Sequence, residues 1–526
     1  MGGQRIRQYL APAALLLAFL FAPQAPAEPS AAESRGKQIY VEGSSPSGGE
    51  ITAIVGTEGV SLPASAVPCA SCHGADGLGR REGGVIPPDI RWSELTKVYG
   101  HVHEDGRKHQ AFDEISIARL IRTGLDPDFN QLDRSMPLYN MSVEDMNSLI
   151  AYLRFLEQDL DPGIGKDSIQ FGTLLPLRGP RGELGQAMAQ VMLAYFKDIN
   201  QRGGVFGRRL ELLAIPWGDS AESTLDNLRS AFEQEGVFAL VGAYTIGMDD
   251  QLLELVREQR MPMIGPFTLN PGDAFVNQDV FYIYPGFAEQ AQALAEQAIA
   301  QMKGARTNLV LVGPQGADVD GLIAAVEDRF PQDKTFESRS LRYPRGQLDA
   351  SALATDLQSN GGDAILFLGG QDELVTLLEA LDSRQHYPGI FALSAFAPQL
   401  YEAPAAFNQR IYLAYPTLSR DVSAAGRSEY QRLAETYALP PGHLQGQVAA
   451  LAAVKLLVEG LRGAGHSLDR ARLVEAIEAL YRYDTGFTPP LTYGPNRRIG
   501  ALGAHVMVVD IDNRTTRPVG EWRELR

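Results

Sequence analysis

The sequence predicts a multidomain chain: an all-α unit over residues 28–160, then a two-lobed α/β unit over residues 168–526. Three observations predict it. A capped apolar helix follows a cysteine–histidine motif in the first third. Short apolar runs alternate with helix-length amphipathic segments through the rest, which implies parallel sheets covered by helices. Between them, "EQDLDPGIGKDS" is polar, carries Pro162, Gly163 and Gly165, and reads as a linker over 161–167.

Residues 1–27 read as an export signal. Arg5 and Arg7 give a positive start, Leu10 to Ala22 is an apolar run too short for a bilayer, and "APA" at 25–27 is a small-residue cleavage site. The rival reading is an uncleaved anchor. No later run is long and uncharged enough to span, so a periplasmic protein with no membrane span in the mature chain is expected. The formal charge is −17. An acidic chain lacks the basic footprint that phosphates need, which argues against nucleic acid and anionic membranes. It suits a basic protein partner, or none at all.

The chain has two cysteines, and both lie in "VPCASCHGADGLG". C-x-x-C-H is the attachment motif of covalent haem. Cys69 and Cys72 would form thioethers with the two vinyl groups, and His73 would bind the iron. One haem c is expected, since no cysteine remains for a second. A zinc ribbon would need another ligand pair, and a thioredoxin-like pair would follow a strand, whereas "SLPASAVP" reads as a loop.

A sixth iron ligand is expected from "LDRSMPLYNMSVEDMNSLIAYLRFL". Met136 precedes Pro137 in a loop where its thioether could reach the haem. Ser142 reads as an N-cap with Asp145 three residues on. Val143, Met146, Leu149, Ile150, Leu153 and Leu156 then form one apolar helix face. Met146 is thus core and Met141 a loop residue. The alternative is a packing role for Met136, with Met141 or a histidine binding instead. His101, His103 and His109, in "GHVHEDGRKHQ", could hold a metal through the H-x-H pair but read as solvated surface.

Together, "CASCHGADGLG" and "RTGLDPDFNQLDRSMPLYNMSVEDMNSLIAYL" resemble class I cytochrome c domains, closest to those accompanying periplasmic quinoprotein alcohol dehydrogenases. The resemblance spans about Ser34 to Leu160. It implies an electron carrier with a periplasmic redox partner, for which such a quinoprotein dehydrogenase is the candidate. Residues 43–68 exceed the minimal domain and carry no assigned role.

In the second unit "IQFGTLLPL", "RLELLAI", "VFALVGAY", "PMIGPF", "TNLVLVGP", "DAILFLGG" and "GIFALS" read as strands, and "ELGQAMAQVMLAYFKDIN" as a helix. Ligands of open α/β sheets bind at the carboxyl ends of strands. No dinucleotide or P-loop motif, nucleophile elbow or Ser/His/Asp set is present. "INQRGGVFGRRLEL", "FALVGAYTIG", "MPMIGPFT" and "DVFYIYPG" are similar to Leu/Ile/Val-type (type I) periplasmic substrate-binding proteins. The resemblance covers about Ser168 to Trp522. It implies two Rossmann-like lobes closing on a small polar ligand, with Tyr244, Thr245, Phe267, Thr268 and Gln315 as ligand-binding residues and an ABC permease as a possible partner. Tyr284 stands where the family has arginine, Gln315 where it has tyrosine, and Gln371 or Asp372 where an acid would hold an amino group.

Three functions follow: an electron-transfer protein with a fused sensing or docking domain, a transporter's binding protein with a redox appendage, or the haem subunit of a periplasmic dehydrogenase. Covalent haem is the only chemistry the residues specify strongly, and the expected Met136 ligand closes the iron to substrates. The first is favoured, with no enzymatic activity of its own.

Overall fold

In the computed structural model, which describes residues 29–79, 87–103, 106–272, 277–302, 307–330, 336–398 and 400–525, the chain divides into two units at Leu160/Asp161. The expected export segment lies outside the described residues. The first unit runs α1 (Ala31–Glu42), β1 (Thr52–Val55), β2 (Val60–Pro63), α2 (Cys69–His73), α3 (Trp92–Leu95), β3 (His101–Val102), β4 (Lys108–His109), α4 (Glu114–Thr123), β5 (Leu138–Asn140) and α5 (Val143–Phe155).

Local signals start its long helices. Ser30 and Glu33 form a reciprocal capping box at α1. Ser142 caps α5 as expected, accepting from Asp145 N at 3.0 Å. Of the expected α5 face, Met146, Leu149, Ile150, Leu153 and Leu156 are buried, but Val143 is 67% exposed. The reason is the first-turn position of Val143, ahead of the crossing with α1. There a Cβ on Gly36 would overlap the Ser148 carbonyl oxygen and lie 2.6 Å from Tyr152 Cβ. Tyr40 and Tyr152 stack obliquely beside it, 5.4 Å between centroids.

The first unit is not all-α, which corrects the expectation from sequence. β1 pairs antiparallel with both β2 and β5, and β3 pairs antiparallel with β4. The unassigned residues 43–68 supply β1 and β2. Their four-residue strands carry too little alternation to stand out from a Gly/Ser/Pro-rich background. Through β5 this sheet holds the chain just after Met136 and Pro137.

The second unit opens with β6 (Ser168–Leu175), α6 (Gly182–Gln201), β7 (Arg209–Pro216), α7 (Ala221–Ser230), β8 (Ala239–Val241), α8 (Asp249–Glu258), β9 (Met263–Ile264) and β10 (Val280–Phe281). These strands form a parallel sheet of order β10-β9-β8-β6-β7. Next come α9 (Phe287–Gln301), β11 (Thr307–Pro314), α10 (Ala317–Arg329), β12 (Phe336–Tyr343), α11 (Ala350–Ser359), β13 (Ala364–Phe367), α12 (Gln371–Asp382), β14 (Gly389–Leu393) and β15 (Ile411–Tyr415). Helices α13 (Ala424–Tyr437), α14 (Leu444–Ala464) and α15 (Arg470–Glu478) precede β16 (Gly503–Asp510), β17 (Thr515–Pro518) and β18 (Arg523–Glu524). The second sheet has order β12-β11-β13-β14-β15-β16-β17, with β18 on β16. It is parallel from β12 to β15 and antiparallel beyond. Helix α14 is long and apolar enough to cross a membrane by composition, yet it is mostly buried in the core beside α6.

Residues 161–167 are not a free linker. Asp161 accepts from Arg470 N at 2.6 Å, Gly163 O accepts from Gln170 N, and Ile164 is 2% exposed. Gly163 has φ +85 and no room for a Cβ beside Phe238 N, so this glycine marks packing rather than flexibility. The chain passes between the two sheets near 282–286, 416–423 and 499–503. Tyr282 N donates to Arg498 O, while Gly500 and Ala501 donate to Tyr282 O and Ile283 O, joining two of the passages. His505 and Asp421 join the third. Arg420 can only donate, so His505 Nδ1 accepts from it at 3.0 Å and the Nε2 proton goes to Asp421 at 2.8 Å.

Gly36→Ala is expected to destabilise the first unit by about 1–3 kcal/mol through overpacking. Native-state hydrogen exchange should show reduced protection of α1 and α5 amides, with β6 and β11 unchanged.

Candidate functional sites

Helix α2 is the motif itself, a little over one turn long, so Cys69, Cys72 and His73 come from one rigid element. Both thiols are unpaired, Cys69 half-buried and Cys72 exposed. Burial pushes the Cys69 thiol up to about 12, helped by Cys72. His73 is 8% exposed, and burial pulls its pKa down, favouring the neutral imidazole that binds metals. Its Nδ1 lies 3.1 Å from the Pro88 carbonyl oxygen. A carbonyl only accepts, so Nδ1 carries the proton and Nε2 keeps its lone pair.

The chain around α2 is arranged to keep that contact. Ile90 N donates to Gly77 O, and Gly79 N to His73 O. Gly79 has φ +85, and a Cβ there would overlap the Pro87 carbonyl. Two buried tyrosines hold the ends of α2: Tyr40 OH donates to Gly74 O at 2.7 Å and Tyr139 OH to Val67 O at 2.6 Å. Burial raises both phenols well above their ordinary value, so both remain donors. The free thiols on one turn and the imidazole with one nitrogen committed fit a covalent haem.

Met136 is half-buried in a turn where its N–H donates to Asp133 O. Met141 and Met146 are 7% and 2% exposed and pack in the core. The three histidines are not solvated surface, contrary to the sequence reading. His109 is 5% exposed, its Nδ1 donates to Gln110 O at 2.7 Å, and its Nε2 meets His103 Nε2 at 2.9 Å. His101 stacks on His109 with centroids 4.9 Å apart. The β3–β4 pairing sets His101 opposite His109, a register invisible in a polar loop-like sequence. Among the described residues no group of three or more His, Cys, Asp or Glu side chains is arranged to hold a metal ion.

In the second unit, Tyr244 and Thr245 follow β8, and Phe267 and Thr268 follow β9, all at the carboxyl edge of the first sheet. Tyr244 stacks on Phe267 with centroids 5.5 Å apart, Trp217 meets Tyr244 edge-on, and the Arg181 guanidinium lies 5.7 Å from the Tyr244 centroid. Trp217 Nε1 donates to Tyr244 O. Tyr244 and Thr245 are 5% and 2% exposed, whereas Phe267 and Thr268 are half-buried. Both threonine hydroxyls meet Asp249, a residue the sequence reading did not single out. The i, i+4 spacing of Thr245 and Asp249 was its one local signal. Gln315, after β11, has an exposed side chain and a backbone N–H bound to Tyr343 O. Tyr284 is half-buried close to Asp421, and burial raises its pKa.

Residues 168–514 match the family profile described as periplasmic binding protein. The chain belongs to that family. Residues 64–157 match the cytochrome c profile, so this periplasmic binding protein carries a cytochrome c domain ahead of its binding fold. The Leu/Ile/Val-binding protein homolog 7 of Brucella melitensis is 23% identical over 232 residues, 42% of this chain and 57% of the relative. Its counterpart in Brucella suis matches to the same extent. The chain thus spans little more than half the length of these curated relatives. Among solved structures, a Rhodospirillum rubrum protein assigned to branched-chain amino acid ABC transport aligns with TM-score 0.53 and 18% identity, covering 67% of this chain and all of that one. That likeness shows the two-lobed type I fold. A cytochrome c domain implies covalently bound haem c, and the binding-protein family implies a periplasmic location.

Tyr139→Phe removes the hydroxyl that holds Val67 and is expected to cost the first unit about 1 kcal/mol. A chemical melt followed in the haem band should show the lower midpoint with an unchanged native spectrum.

Proposed function

We propose that this periplasmic binding protein is an electron carrier with one covalent haem c, fused to a domain that binds a small polar ligand, and that it is not itself an enzyme. The observation that carries the redox half is the His73–Pro88 hydrogen bond, which leaves Nε2 for an iron on the same short helix as two unpaired thiols. Cys69 and Cys72 would anchor the haem, and His73 and Met136 would hold its iron. The haem supplies one-electron exchange. The protein's residues fix the imidazole through Pro88, offer a thioether from the turn before β5, and tether both ends of α2 with Tyr40 and Tyr139. Thioether ligation raises the potential and closes the iron. The domains are residues 28–160 and 168–526, following an export segment of residues 1–27.

The ligand half uses the strand-end cleft at Tyr244, Thr245, Phe267, Thr268 and Gln315. A second reading, delivery of that ligand to an ABC permease, is favoured by the Rhodospirillum rubrum protein's assignment to transport. The acidic surface suits a redox partner with a basic docking face.

Met136→Ala should abolish the weak sulfur-to-ferric-iron charge-transfer band and lower the reduction potential, measured by spectroelectrochemistry. An unchanged band would remove Met136 from the iron. Electron transfer to a basic acceptor cytochrome should slow as salt rises, because opposite charges are screened beyond about 10 Å at about 0.1 M. Stopped-flow second-order rates that ignore salt would contradict the charge-steered docking.

A further inference from the structure

The ligand cleft carries an acid that changes what it can hold. A threonine hydroxyl has one proton to give. Thr245 Oγ1 donates its proton to Asp249 Oδ1 at 2.6 Å, and Thr268 Oγ1 donates to the same oxygen at 2.7 Å. Thr268 Oγ1 also accepts from Asn270 N at 3.0 Å. Neither hydroxyl therefore keeps a proton for a ligand oxygen. Among the described residues Asp249 Oδ2 makes no hydrogen bond. Asp249 is half-buried at the first residue of α8, between the loops that follow β8 and β9. Ligands of open α/β sheets meet the protein at such strand ends. What this edge offers is a carboxylate oxygen, threonine lone pairs and the half-buried Phe267 ring stacked on Tyr244.

We infer that Asp249 is a specificity-determining residue of the cleft, selecting a small ligand with an apolar body and a hydroxyl or ammonium donor, and rejecting a carboxylate. The inference rests on the strand-end cleft being the ligand site. A second carboxylate beside Asp249 meets like charge and finds no hydroxyl proton, while an alcohol or ammonium fills the free Oδ2. Rejection of the wrong ligand by an unpaired like charge is a common route to specificity. The cation that an acid ligand would use instead is Arg181, over the Tyr244 ring.

The test uses the full haem-loaded chain and four probes on one carbon skeleton: isobutanol, isobutylamine, isobutyramide and isobutyrate. Titration calorimetry near neutral pH should rank isobutanol and isobutylamine at least tenfold tighter than isobutyrate. Asp249→Asn keeps the size and one acceptor oxygen but removes the charge. It should weaken isobutylamine about tenfold and strengthen isobutyrate. Asp250→Asn, a second variant at the exposed next residue of α8, removes the same charge outside the cleft and should keep the wild-type ranking, since Asp249 sets it. Isobutyrate binding the wild type as tightly as isobutanol would overturn the inference, most directly if Arg181→Gln abolishes it. An unchanged ranking in Asp249→Asn would overturn it too. If no probe binds the wild type, the cleft reading itself fails along with the inference. A carboxylate preference would sink the inference alone.

Discussion

A metal-binding histidine is oriented, and its tautomer fixed, by the acceptor that takes its other ring N–H, and in the first unit the Pro88 carbonyl is that acceptor for His73. Much of the unit is explained by the need to keep this one contact. The turn through Gly77 and Gly79 brings the 87–90 segment under α2, and both positions have left-handed φ. Tyr40 and Tyr139 fasten the two ends of α2 from different elements, one on α1 and one on β5. The α1–α5 crossing supports Tyr40, and the β1–β2–β5 sheet supports Tyr139. That sheet also fixes the chain beside Met136. The extra residues 43–68 thus brace, through β5, the chain that carries Tyr139 and follows Met136.

The second unit answers to a different constraint: carboxyl edges of parallel strands leave polar loops that need partners. Asp249 gathers two such loops by accepting from Thr245 and Thr268. Where the chain passes between sheets, Arg420, His505 and Asp421 align as donor, neutral ring and acceptor. Arg470 performs a similar task at the start of the fold, donating to Phe238 O, Val237 O and Gln259 O while its backbone N–H binds Asp161.

Features encoded by adjacent residues were legible in the sequence. The C-x-x-C-H turn, the Ser142 cap and the buried strands β6, β11 and β13 depend on local spacing or continuous apolar runs. Features that depend on distant pairing were not. "FESRSLRY" forms β12 despite its charges, because an edge strand can keep one side polar. The burial of His109 depends on its pairing with His101 and on Phe112. The segment 161–167 reads as linker because its glycine and proline say nothing of Arg470, some three hundred residues on. At the cleft, the sequence pointed to Thr245 and Thr268 but not to the acid that takes their protons.

The central claim is that Cys69 and Cys72 bind one haem covalently, with His73 delivered to its iron. Pyridine haemochrome analysis of the exported protein, paired with acid–organic extraction, tests it most directly. The account predicts one haem per chain, an α-band at the shorter wavelength of a haem whose vinyl groups are saturated, and no loss of colour to the organic phase. An extractable haem with the unsaturated-vinyl band would contradict it.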